Sequence, residues 1–260
     1  MKYNRRIILW STAICFTFLS TALLSTHLQA QNDNPGIIMS MTEFTVKPGY
    51  NTQFREGIKT WKNCYLENDG EWTWNMWQRI QGEGTVYVLT STMANWAEMD
   101  DTSDEAGQAC QNFARDLITP NVEKTVQNMA RSIPDLSKAT SAEGSVANVF
   151  FFRVNNISKF RGVVDEVEKT LNRVEGEPRG YWYNVMGGDL NAPHYFVSNI
   201  YENFAAMDAN RDDVWTVVEN ADGKKKRDQL QADFRDAVEN VWSYMYRRAD
   251  DISHNGNQTN

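Results

Sequence analysis

The sequence is poor in the residues that bind metals and cofactors. It has three cysteines and three histidines among 260 residues. His27 lies in an apolar N-terminal stretch and His254 lies near the C-terminus, so His194 is the one histidine within the region expected to fold. Zinc sites need several Cys or His ligands, and a haem iron needs an axial ligand. We therefore expect no metal and no cofactor.

Short motifs of nucleotide-binding and hydrolytic enzymes are also lacking. The sequence has no P-loop, no dinucleotide-binding fingerprint and no recognisable Ser-His-Asp set. Basic residues are a minority: without residues 1–30 the chain keeps 23 Lys and Arg against 34 Asp and Glu, a net charge of −11. An acidic surface argues against nucleic acid and anionic membranes as partners.

The longest hydrophobic run lies at the N-terminus. Three basic residues precede an apolar run over about 7–24, and Ala30 supplies a small residue at the position of a cleavage site. This order predicts a signal peptide over 1–30, with an uncleaved membrane anchor as the alternative. We expect an exported protein, periplasmic or secreted, with no membrane contact after cleavage.

The rest of the chain contains an internal repeat of about 107 residues. Residues 93–101, MANWAEMDD, match residues 201–209, YENFAAMDA, at an offset of 108. An apolar stripe recurs at an offset of 106, with Phe54, Ile58, Trp61 and Tyr65 corresponding to Phe160, Val164, Val167 and Leu171. So long a period predicts two domain-sized modules rather than a solenoid. A ligand is expected at the seam where the two modules pack.

Each module has the same predicted order of elements. The first has a strand over 36–46, a helix over 51–66, a hairpin of 71–80 with 85–93, and a helical region over 104–134. The second has a strand over 147–154, a helix over 158–173, a hairpin of 180–188 with 194–201, and a closing helix over 224–248. These patterns predict an α+β protein of two tandem ferredoxin-like (βαββα) modules, 31–136 and 146–250. A polar linker over 137–145 joins them, and a disordered tail over 251–260 follows.

Two motifs resemble those of a known superfamily. Residues 45–49, TVKPG, with Phe54 five positions later, resemble the strand-to-helix entry of dimeric α/β-barrel proteins, among them the antibiotic-biosynthesis-type monooxygenases. The repeated 93–101 and 201–209 segments resemble the exit of the third strand in that superfamily, although Met93 and Tyr201 stand where it usually has Trp. The resemblance implies that the two modules pack sheet to sheet as an intrachain α/β barrel with a cavity.

Strand alternation divides the hairpin side chains between two faces. A four-residue turn pairing Ile80 with Thr85 places Trp72, Trp74, Gln78 and Tyr87 on one face, and we group Tyr181, Tyr183, Tyr195, Asn199 and Tyr201 with them in the second module. We assign this aromatic face to the barrel interior as the ligand-binding surface, partly on the family resemblance. The alternative is that these aromatic residues only fill a core. The reverse assignment moves the candidates to Asn75, Arg79, Asn184 and His194.

Charged residues interrupt the first strand of each module. Glu43 and Arg153 lie in otherwise apolar runs, where a buried charge needs a partner. They either pair with each other, bind a polar ligand, or lie exposed at a strand edge. We name Glu43, Tyr183 and Tyr195 as candidate catalytic acids or bases and Arg153 as a candidate ligand-binding residue.

Three functions are compatible with this sequence. The first is a cofactor-independent enzyme of monooxygenase or isomerase type, and the second is a carrier that binds a small organic molecule without turnover. The third is a structural or interaction protein whose barrel is filled. The protein is expected to be a monomer or a homodimer.

The two cysteines that remain after signal cleavage are predicted to form a disulfide. In a ferredoxin-like module both helices lie on one face of the sheet, so Cys64 near the end of the first helix lies close to Cys110 near the start of the second. Export supplies the oxidising compartment. Two buried free thiols are the alternative.

Overall fold

The structure is a computed structural model that describes residues 36–140 and 143–255. The predicted signal peptide therefore lies outside the described residues. Within the described part of the chain, no helix is both long and apolar enough to span a membrane.

The described residues form an antiparallel barrel closed by eight strands. The strands are β1 Ile38–Val46, β2 Asn75–Arg79, β3 Thr85–Met93, β4 Val122–Ser132, β5 Val146–Val154, β6 Tyr181–Gly187, β7 Tyr195–Tyr201 and β8 Val238–Arg248. Around the barrel they follow the order β1-β3-β2-β8-β5-β7-β6-β4. The first four strands in sequence and the last four therefore form two adjacent half-barrels, which meet where β2 pairs with β8 and where β4 pairs with β6.

Helices cover the outside of each half-barrel. They are α1 Asn51–Glu67, α2 Glu105–Ala109, α3 Gln111–Phe113, α4 Ile157–Glu175, α5 Val214–Asp222 and α6 Lys224–Ala237. The long helices α1 and α4 follow the first strand of their halves and bury the repeated apolar stripe, for example Phe54 and Phe160, both fully buried. Asn156 caps α4 by accepting a hydrogen bond from the Lys159 amide, and Gly176 ends the helix in the left-handed conformation.

The fourth strand of each half corrects the sequence prediction. The region predicted as one helix over 224–248 ends its helix at Ala237 and continues as β8, and β4 lies within the region predicted as helix over 104–134. Trp242, Tyr244 and Tyr246 alternate along β8, so all three face the barrel interior beside β5. The edges of β5 and β2 need a hydrogen-bonding partner, and β8 supplies it for both.

The predicted disordered tail is also wrong in part, because residues 251–254 are folded. Asp250–Ile252 forms a 3₁₀ turn and Ile252 is fully buried. His254 forms a β-bridge with Trp74. The buried Lys62 of α1 donates hydrogen bonds to the carbonyl oxygens of Ser253 and Asp251, so the first half of the chain holds the end of the second.

The predicted disulfide is confirmed. Cys64 lies near the end of α1 and Cys110 directly follows α2, with their Cα atoms 5.9 Å apart. The bond ties the covering helices of the first half together. In the described part of the second half no residue is a cysteine.

Candidate functional site

The barrel interior is the predicted location of the ligand-binding surface. Strand register puts Glu43, Trp77, Arg153, Tyr181 and Tyr183 on its interior face. The interior is packed with aromatic rings, such as the stacked pairs Tyr183–Phe196 at 4.7 Å and Phe151–Trp242 at 5.6 Å between ring centroids. Much of the interior is therefore filled by the protein itself.

The face assignment is wrong for the first half. The predicted pairing of 80 with 85 agrees with the observed register of β2 and β3, but the opposite face lines the barrel. Trp74 and Tyr87 are buried beneath α1, and Gln78 points to the same side. Trp72, just before β2, is 40% exposed and packs on Trp74. Trp74 and Tyr87 on the helix side are at most 2% exposed, whereas Trp77 on the interior face is only partly buried, so the helix side of this sheet excludes water more completely.

In the second half the predicted grouping is one position out of register with the observed pairing. Tyr181 pairs with Ser198 and Asn184 with Tyr195, so Tyr181 and Tyr183 face the interior whereas Tyr195 faces α4. Asn199 and Tyr201 also lie on the helix-covered side. The seven-residue connection between β6 and β7 explains the error, since only a tight turn fixes the pairing register from sequence.

The predicted acids and bases do not converge. Burial, followed by the charge of Tyr181, raises the pKa of Tyr183 to about 12, so this phenol stays protonated at neutral pH. Tyr195 packs against Phe160 in the core beneath α4. Among the described residues the Glu43 carboxylate has no hydrogen bond or ion pair, and Arg153 donates instead to the Ala192 carbonyl oxygen at 3.3 Å. The expected Glu43–Arg153 pair is therefore not formed.

A pocket of about 350 Å³ lies on the helix-covered side, where the two halves meet. We call it the seam pocket, and its lining residues are Asn51, Arg55, Gln78, Tyr87, Arg247, Arg248, Ala249, Asp250 and Asp251. α1 supplies the first two, β2 and β3 the next two, and the end of β8 with the turn after it the remainder. Its volume lies within the range typical of small-molecule sites. Another depression, of about 560 Å³, is lined by side chains of α6 alone.

Hydrogen bonds fix the polar wall of the seam pocket. The Tyr87 hydroxyl donates to Asn51 Oδ1 at 2.8 Å and accepts from Arg55 at 3.2 Å. Arg55 also donates to both carboxylate oxygens of Asp251, at 2.7 and 2.8 Å. Burial alone would raise the pKa of Asp251, but the charges and hydrogen bonds of Arg55 and Lys59 hold it below its ordinary value. Asp251 is therefore ionised at neutral pH and orients Arg55.

Two predicted ligand-binding residues, Gln78 and Tyr87, line this pocket, and the sequence analysis missed the others. Arg247 and Arg248 fell in a region predicted as helix, and Asp251 in the predicted tail. The signal that would have found them is the two-residue alternation of Trp242, Tyr244 and Tyr246, which predicts a strand that ends at this point. Within the described residues, no cluster of His, Cys, Asp and Glu is arranged to bind a metal ion.

Comparison with solved structures places this fold among known proteins. The sequence matches no protein-family model and no curated protein. The structure is similar to a putative monooxygenase from Lactobacillus acidophilus NCFM, with a TM-score of 0.51 and 10% identity over 82% of this chain and 94% of that one. It is also similar to an anthrone oxidase-like protein, with a TM-score of 0.51 and 10% identity over 82% of this chain and 92% of that one. These likenesses confirm the predicted resemblance at the level of the fold: the chain has an α/β barrel of the dimeric α/β-barrel type.

Proposed function

We propose that this protein binds a small organic molecule in the seam pocket. The observation that carries the proposal is a pocket of about 350 Å³ built from both halves of the chain, with ordered polar groups converging on one wall. Side chains that converge on a concave surface between two structural units are typical of ligand sites. The same strand order in both halves supports the interpretation that the halves are tandem ferredoxin-like modules, and the pocket lies at their seam.

The opposite seam offers a matched control. Tyr87 pairs with Phe44 of the first strand in its half, and Tyr195 occupies the corresponding place beside Phe152. The Tyr87 hydroxyl holds Asn51 and Arg55 in the wall of the seam pocket, whereas Tyr195 packs among the aromatic rings beneath α4. Removal of the two hydroxyl groups therefore distinguishes the pocket from general effects on the fold.

The test is a small-molecule screen that records the thermal unfolding midpoint, because a ligand that binds only the native state raises it. Compounds that stabilise the native protein are titrated against the Tyr87→Phe, Gln78→Ala and Tyr195→Phe variants. We expect weaker binding in the first two variants and unchanged binding in the third. Binding that is insensitive to both Tyr87 and Gln78 would refute the proposal.

The barrel interior supports a second candidate, a cofactor-independent enzyme with Glu43 as acid or base. Glu43 and Tyr246 both face the barrel interior, and burial, followed by the charge of Glu43, raises the pKa of Tyr246. A carboxylate without a described partner that shares an enclosed interior with a tyrosine is a suitable starting point for acid–base chemistry. One structural neighbour is an anthrone oxidase-like protein, so anthrone and O₂ are a reasonable probe pair.

Oxygen consumption tests this candidate. With Glu43 as base, O₂ uptake in the presence of anthrone should fall on the order of 10²-fold or more in Glu43→Gln, since removal of a general base has an effect of that size. Tyr87→Phe leaves the interior unchanged and serves as the control. Equal uptake by the native protein and Glu43→Gln would eliminate Glu43 as the base.

A further inference from the structure

The seam pocket carries a charge opposite to that of the whole chain. The protein has a net charge of −8, but three arginines and two aspartates line this pocket. Asp251 is paired with Arg55 at 2.7 Å, and Asp250 accepts from Arg248 at 2.6 Å. Both carboxylates are therefore neutralised by neighbouring guanidinium groups, and one arginine remains.

That remaining arginine, Arg247, is already oriented. Its guanidinium carbon lies 4.9 Å from the ring centroid of Phe204, and it has no carboxylate partner among the described residues. Register places Arg247 directly opposite Gln78 across the β2–β8 seam. A guanidinium stacked on an aromatic ring keeps its planar set of N–H donors free for a second partner.

We propose that the ligand of the seam pocket is a small organic anion whose carboxylate or phosphate is bound by Arg247. Arginine presents paired donors that match either group. The Gln78 amide, which lines the same pocket, binds a polar atom elsewhere on the ligand, and the Tyr87 hydroxyl holds Asn51 and Arg55 in place in the pocket wall. This inference rests on the proposed function and adds the charge of the ligand to it.

The opposite seam again contains a counterpart. Arg131 pairs with Ile38 as Arg247 pairs with Val146, and its guanidinium lies 5.9 Å from the ring centroid of Trp96. Trp96 and Phe204 are equivalent positions of the sequence repeat. The two strands differ at the next position, where Ser132 follows Arg131 in β4 and Arg248 follows Arg247 in β8. The structure thus provides an arginine–aromatic pair outside the seam pocket.

The experiment compares matched probes at constant ionic strength. Benzoate, phenyl phosphate, inorganic phosphate and the neutral benzamide are titrated by calorimetry and thermal shift into the native protein, Arg247→Met and Arg131→Met. Methionine retains an unbranched side chain to pack on the ring while removing the charge. We expect the native protein to bind the anions and not benzamide. Anion binding should be at least ten-fold weaker in Arg247→Met, equal to about 1.4 kcal/mol, and unchanged in Arg131→Met.

The outcomes separate the two proposals. Preference for benzoate or for the phosphates identifies the anionic group, and either one supports the inference if it depends on Arg247. Benzamide binding as tightly as benzoate in a Tyr87-dependent manner overturns the inference but leaves the proposed function intact. Anion binding that is equally tight in Arg247→Met also overturns the inference and leaves the proposed function intact. If no probe and no neutral compound of the wider screen binds through Tyr87 or Gln78, both proposals fail.

Discussion

At the scale of single residues, the two halves place opposite charges at one buried helix position. Lys62 on α1 and Glu168 on α4 correspond at the repeat offset of 106, and both are at least nine-tenths buried. Glu168 Oε1 accepts from the Trp182 indole at 2.8 Å, whereas Oε2 has no hydrogen bond. Burial raises the pKa of Glu168, despite the opposing effects of Trp182 and Arg179. This carboxyl group is therefore a source of pH-dependent stability.

The first prediction follows from the sign of that shift. The folded state holds the proton of Glu168 more tightly than the unfolded state, so its contribution to stability is lost as pH rises from about 4.5, the ordinary pKa, through the folded value. Glu168→Gln stays neutral at every pH and keeps an oxygen for Trp182. We expect the free energy of unfolding of the variant, relative to the native protein, to increase with pH in urea titrations between pH 4 and 8.

Glu166 provides the control two residues away. A hydrogen bond and the charge of Lys226 lower the pKa of Glu166, and its side chain is 46% exposed. The free energy of unfolding of Glu166→Gln, relative to the native protein, should therefore decrease as pH rises, which is the opposite trend. The change should be small because solvent screens the Glu166–Lys226 pair. A Glu168→Gln difference that does not vary with pH would contradict the assignment.

At the scale of elements, the equivalent helices α1 and α4 meet different neighbours. A Cβ placed on Gly57 of α1 would lie 2.4 Å from the Leu117 carbonyl oxygen, so only glycine permits this close approach. The corresponding residue of α4, Val163, packs in the cluster formed with α5 and α6. Gly57 and Val163 at the same repeat position thus fit α1 and α4 to different neighbouring segments.

The second prediction compares one glycine of α1 with one glycine of α4. Gly57→Ala should destabilise the protein by about 1–3 kcal/mol, because the rigid backbone of Leu117 has to move. Gly162→Ala in α4 meets no atom within 4 Å and should stabilise it by roughly 0.5–1 kcal/mol through helix propensity. Chemical denaturation of both variants tests the pair, and equal effects would show that the approach at Gly57 is not tight.

The third prediction concerns the disulfide that joins α1 to α2. Replacing Cys64 and Cys110 together by alanine opens a loop with a sequence separation of 46 residues, and the chain-entropy account gives a loss of about 4 kcal/mol. Reduction should lower the denaturation midpoint of the native protein and leave that of the double variant unchanged. An unchanged midpoint of the native protein on reduction would argue against the bond in solution.

At the scale of the whole molecule, barrel closure makes each half dependent on the other. The buried interior cluster combines Ala130 of the first half with Tyr183 and Tyr246 of the second. The strand pairs β2–β8 and β4–β6 close both seams with backbone hydrogen bonds. A half-barrel alone would expose an apolar sheet face and two strand edges.

The fourth prediction is that the halves assemble only together. Fragments 36–140 and 143–255, produced in one cell, should co-purify as a 1:1 complex by size exclusion with mass determination. Each fragment alone should self-associate or aggregate, because its interior face and its strand edges remain uncovered. A stable monomer of either fragment would contradict this dependence.

The sequence alone was sufficient for several features of this protein. The repeat, the apolar stripes of α1 and α4, the hairpin of β2 with β3 and the pairing of Cys64 with Cys110 follow from local periodicity and from the order of elements. These features depend on contacts within one half, where residue spacing directly determines which side chains share a face.

Only the tertiary structure decided which face lines the barrel and where the candidate site lies. The sequence at the end of β8 fits both the apolar stripe of a helix and the alternation of a strand. It forms a strand because the distant strands β2 and β5 need a hydrogen-bonding partner. The seam pocket likewise joins Tyr87 to Arg247 across 160 residues. Contacts between the halves bring such residues together. Because each half has a similar local pattern, that pattern does not place the pocket at the β2–β8 seam.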